Sequence, residues 1–91
     1  MDVMATLDLI DYDSLAGSLV VLRIRGSWGP ASPAGNNGAL NTTITRDLSK
    51  NSDWNGLRQD VIAAIQADVA AQDPTANLVR LVFPDCSVVK P

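Results

Sequence analysis

One stretch of this chain repeats its apolar side chains at helical spacing over several turns. Between Asp53 and Gln72, the residues Trp54, Leu57, Val61, Ile62, Ile65 and Val69 recur at a period of 3.6 and form a single stripe. Elsewhere the apolar residues alternate at a period of two, as strands do. A lone one-sided helix must bury its stripe against something, and alternating strands supply one matching face. The chain therefore reads as one α+β domain over residues 1–91, with the helix packed on one face of a small, mostly antiparallel sheet of four to five strands. At 91 residues there is no room for a second core.

The expected order is β-β-β-α-β with a short fifth strand. Val3–Ile10 reads as the first strand, with Val3, Ala5, Leu7 and Leu9 on one side; Val3, Leu7 and Ile10 also fit a short helix. Asp11–Gly17 reads as a turn, because aspartate side chains bond neighbouring backbone amides. Ser18–Arg25 is the clearest strand. Its alternation puts Val20, Leu22 and Ile24 on one face and Leu19, Val21, Arg23 and Arg25 on the other. Residues 26–39 hold four glycines, two prolines and no charge, so a loop carrying Trp28 is expected. Leu40–Arg46 reads as a threonine-rich strand with Leu40, Thr42 and Ile44 facing one way. Ser52 or Asp53 should cap the helix, which Asp73-Pro74 ends. Asn77–Phe83 follows as a strand with Val79, Leu81 and Phe83 on one side and Leu78, Arg80 and Val82 on the other. Cys86–Lys90 supplies the short edge strand.

Composition removes several chemistries. There is no histidine, the acids are all aspartate, and there is one cysteine. A Ser-His or Cys-His nucleophile, a histidine-ligated metal, a zinc cluster and an intrachain disulfide are excluded. Cys86 has no histidine to activate it and reads as a small, partly buried residue. Asp8, Asp11 and Asp13 do not continue into a calcium-binding loop and read as a solvated acidic turn. The Gly/Pro loop matches neither phosphate-binding fingerprint. Nothing gathers Asp, Arg, Tyr12, Lys and Cys86 into a catalytic set, so the balance leans away from an enzyme, and no cofactor is expected.

Charge is distributed unevenly within a net charge of −3. Residues 1–17 carry only acids, residues 18–46 only Arg23, Arg25 and Arg46, and the remainder a mixture. Such a balance argues against duplex DNA, which needs a broad basic surface. The start of the chain lacks a basic, apolar leader, and the longest apolar run, Leu19–Leu22, cannot span a bilayer. The expectation is a soluble, cytoplasmic protein with no membrane partner.

The sheet face away from the helix should then carry Arg23, Arg25 and Arg80 among aliphatics such as Val21. Placing Leu7 opposite Ile24 would set Asp8 against Arg23. Arginine mixed with aliphatics is as typical of an interface as of an ordinary solvated face whose arginine stems lie over apolar neighbours. The leading expectation is a non-catalytic interaction or assembly module that meets a protein partner, another copy of itself being one form. The alternative is a binder of a small anionic ligand or single-stranded nucleic acid through Arg23, Arg25, Arg46 and Trp28. Trp28 could stack on a base or plug the end of the core.

Overall fold

The computed structural model describes residues 1–33, 35–47, 49 and 54–91, and only the backbone at Leu15, Trp54 and Asn55. It is an α+β domain: β1 (Asp2–Ala16), β2 (Leu19–Pro30), β3 (Gly38–Asp47), α1 (Trp54–Gln72), β4 (Asn77–Val82) and β5 (Val88–Val89). The strands form one sheet in the order β3-β2-β1-β4-β5. Every neighbouring pair is antiparallel except β1 and β4, which run parallel. The expected capping residues Ser52 and Asp53, and the side chain of Trp54, lie outside what is described.

The core is the helix stripe pressed on one sheet face. Val61, Ile62, Ile65 and Val69 meet Val3, Ala5, Leu7, Ile24, Leu40, Leu81 and Phe83. Leu7, Ile24, Leu40, Ile65 and Leu81 lose essentially all solvent contact. Each such burial stabilises by roughly 1.5–3 kcal/mol before the ordering cost is subtracted. The far side of the helix is exposed alanine and glutamine, as its pattern requires.

Three strands are longer than expected, β1 and β2 by the most. The β1–β2 hairpin runs to a two-residue turn at Gly17-Ser18, so Asp11 and Asp13 lie in a strand rather than in a turn. Pairing along a twelve-residue neighbour outweighs the turn preference of aspartate. At the other end β2 continues through Gly26, Ser27, Trp28 and Gly29 to Pro30, which shortens the expected loop to residues 31–37. Gly26 fits there because it has no side chain: a Cβ would stand 2.1 Å from the Thr6 carbonyl oxygen.

Two irregularities in pairing correct the expected faces. Leu7 pairs with Gly26 and Leu9 with Arg25, leaving Asp8 as an extra residue. Such a bulge reverses the alternation beyond it. Leu9 therefore turns out to solvent at 43% exposure, and Ile10 takes its place against the core, opposite Ile24. The expected partner of Arg23 shifts with it, from Asp8 to Asp11. In β4, Val3 pairs with Leu78 but Met4 with Arg80, so Val79 is skipped. Leu78 consequently packs on the core instead of facing outward.

Aspartate also builds three of the connections. Asp47, Asp73 and Asp85 each accept the backbone N–H (3.0 Å) and the hydroxyl (2.7 Å) of the residue two places on, Ser49, Thr75 and Ser87. A short side chain reaches those donors without leaving its own turn.

Candidate functional site

The helix-free face of the sheet is the candidate site. Strand alternation and the observed pairing arrange it in rows. Thr45, Val21 and Asp13 stand side by side on β3, β2 and β1; Thr43, Arg23 and Asp11 come next, then Asn41, Arg25 and Leu9. Towards the start of β1, Ser27, Thr6, Val82 and Val88 form a row, with Gly29, Met4 and Arg80 beyond it. Leu9, Leu19 and Val88 are exposed, while Val21 and Val82 are half-buried.

Arg23 is the best-held side chain on this face. Its Nε donates to Asp11 Oδ1 at 3.0 Å and its Nη2 to Asp11 Oδ2 at 3.3 Å, while Nη1 lies 2.7 Å from Asp13 Oδ2. The hydrogen bond from Arg23, aided by the charges of Arg23 and Arg25, holds the Asp11 carboxyl below its ordinary value. The same bond, with the charges of Asp11 and Asp13, keeps Arg23 protonated more firmly than usual. The acids of the first segment are thus tied to the basic middle, through Asp11 and Asp13.

The three arginines expected on this face do share it but do not converge. Arg25 is level with Leu9 on β1 and Arg80 with Met4. On β2 the two levels, at Arg25 and Gly29, are four residues apart, about 13 Å at 3.3 Å per residue. Among the described residues neither Arg25 nor Arg80 makes a hydrogen bond or ion pair with another side chain.

Trp28 and Arg46 lie on the opposite, helix-bearing face. Trp28 is buried, and its indole Nε1 donates to Gln72 Oε1 at 2.9 Å. This is the core-plug role, not an exposed stacking platform. Arg46 Nε donates to Asp60 Oδ2 at 2.6 Å across to the helix. The four residues of the anion-binding alternative are therefore divided between two faces of one sheet.

Sequence reasoning missed the helix side chains that reach the sheet. Asp68 accepts from the Thr42 hydroxyl at 2.7 Å, and Gln72 Nε2 donates to the Ala39 carbonyl at 2.9 Å. Arg58 lies 4.7 Å over the Phe83 ring and donates to Ser87 Oγ. Their place at the margin of the apolar stripe was the available signal, but the helix's orientation on the sheet was needed to read it.

The remaining candidates carry little chemistry. Cys86 is exposed rather than partly buried, at a left-handed backbone position with φ 70°. Left-handed backbone occurs mainly in turns, and here it follows Pro84-Asp85. An open groove of about 280 Å³ on the helix side is lined by Ile10, Tyr12, Leu22, Phe83, Pro84 and Asp85. Among the described residues no three acidic or thiol groups gather as a metal cluster, and no helix is long and apolar enough to cross a membrane. No protein-family model matches this chain, and no curated protein or solved structure matches it either.

Proposed function

We propose that this chain is a non-catalytic protein-interaction module whose helix-free sheet face meets another protein chain, a second copy of itself being the partner to test. The observation that carries this reading is the composition of that face: Leu9 and Val21 flank an arginine already paired with two aspartates, and Leu19, Val82 and Val88 add apolar area further along the same face. Apolar area supplies the drive for association, and a pre-paired Arg23 is cheaper to desolvate than a bare charge. The absence of histidine and glutamate from the sequence points in the same direction, because it removes the commonest general bases.

The test is sedimentation velocity over a micromolar concentration series on the wild type and on Leu9→Asp with Val21→Asp. Both substitutions sit on exposed or half-exposed strand positions and leave the core intact. A step of association that the wild type shows and the variant loses, whether or not another contact persists, supports the reading. A wild type that stays monomeric throughout rejects self-association through this face.

A further inference from the structure

β3 is an edge strand, and its outer edge is capped at both ends and bare in the middle. Gln72 Nε2 donates to the Ala39 carbonyl, the Asn41 N–H donates to Asp68 Oδ2 at 3.4 Å, and Arg46 Nη1 donates to the Thr45 carbonyl at 2.7 Å. These three residues alternate along the strand, and among the described residues no strand lies beyond β3 to pair with them. They are the positions whose backbone groups point away from β2. Thr43 lies between them in the same phase, and among the described residues no side chain caps its N–H or C=O. From Gly38 to Thr45 the strand holds no charge and no proline, the two features that usually block an edge.

We infer that two copies of this chain pair antiparallel along β3, about a twofold axis at Thr43, to form one continuous sheet. That register sets Thr43 against the second copy's Thr43 and Asn41 against the second copy's Thr45. Thr43 N–H and C=O then bond reciprocally, and Asn41 N–H donates to the second copy's Thr45 carbonyl. The two caps displaced by this pairing belong to Asp68 and Arg46. In the same register Arg46 stands opposite the second copy's Leu40 and diagonal to its Thr42, the residue that Asp68 already touches. Diagonal neighbours across an antiparallel pair are within reach of long side chains. The Arg46 Nη1 released from Thr45, on a guanidinium whose Nε still holds Asp60, thus meets the other copy's Asp68 carboxylate, which gives up Asn41 but keeps Thr42 and Gln72, once on each side of the axis. This charge complementarity is what selects a second copy over an unrelated extended peptide, which has no need to bring a cation to that point.

The pairing uses the sheet edge, not the face proposed above, so the two contacts fail separately. Amide hydrogen exchange on the wild type, followed from micromolar to millimolar protein, is the primary measurement. The Thr43 and Thr45 amides should gain about tenfold or greater protection with concentration. Thr43→Pro removes the outward N–H at an edge position that tolerates proline, and Thr43→Val keeps it. Sedimentation should show Thr43→Val and Leu9→Asp with Val21→Asp still associating through the edge, and Thr43→Pro monomeric there. Equal exchange of the Thr43 amide at both concentrations overturns the inference whether or not the proline variant folds. A Thr43→Pro protein that associates like the wild type also overturns it, and leaves the face reading standing.

Discussion

Trp28 Nε1 and Gln72 Oε1 are 2.9 Å apart, joining the far end of β2 to the last residue of the helix. Gly38 lies beside this bond; a Cβ there would come within 2.5 Å of both atoms. The bond leaves the buried indole with its hydrogen-bonding group satisfied, which is the condition for burying tryptophan cheaply.

Gln72→Met keeps the side-chain length and removes the acceptor. The expected loss is about 1–2 kcal/mol in urea unfolding, the cost of an unsatisfied buried donor. Gly38→Ala should destabilise through the same pair by crowding it apart. Unchanged unfolding midpoints for both variants would show that the bond does not hold the helix end.

Gly26→Ala should be more damaging, because the atom it would strike is the Thr6 backbone carbonyl rather than a mobile side chain. The two central strands would have to move apart beside the Asp8 bulge. A loss of about 2 kcal/mol or more is expected, the upper part of the usual range for overpacking. Thermal melts that match the wild type would contradict the observed register of β1 on β2.

Acid should destabilise the fold in a window set by four carboxyls. Asp11 is held below its ordinary value chiefly by Arg23, Asp47 by Ser18 and Ser49, Asp73 by Thr75, and Asp85 by Ser87. Unfolding breaks these bonds, so the unfolded chain binds protons more readily. Their stabilisation is therefore complete above the unfolded value, about pH 4, and is lost as pH falls through the lower folded values. Urea midpoints taken downward from neutral pH should fall below about pH 4, and Thr75→Val should flatten part of that fall. A Thr75→Val profile parallel to the wild type would remove Asp73 from this account.

Arg46 and Asp60 are each about one-third exposed and 2.6 Å apart, linking the end of β3 to the helix. A double-mutant cycle with Arg46→Met and Asp60→Asn should give a coupling of about 0.5–1 kcal/mol, above many surface pairs because the geometry is close. The coupling should weaken in high salt. A zero coupling at low salt would mean that this pair does not help to dock the helix on β3.

The helix, the four longer strands and the face of Leu40, Thr42 and Ile44 were legible because hydrophobic periodicity is local. A stripe from Leu57 to Val69 allows one orientation of a helix, and alternation in β2 allows one division of its faces. Leu9, Leu78 and the partner of Arg23 were misplaced for a single reason. The skipped residues Asp8 and Val79 are defined by the neighbouring strand, and a shift of one position reverses every face beyond it.

The amino-acid order alone determined that one helix covers one side of a small sheet and leaves Arg23, Arg25 and Val21 on the other, because side-chain direction follows from position along a strand. Only the tertiary structure decided that Asp11 and Asp13 hold Arg23, that Trp28 is buried under Gln72, and that β3 lies at an open edge. Strand order and register arise from contacts between distant segments, and no local preference in this chain encodes them.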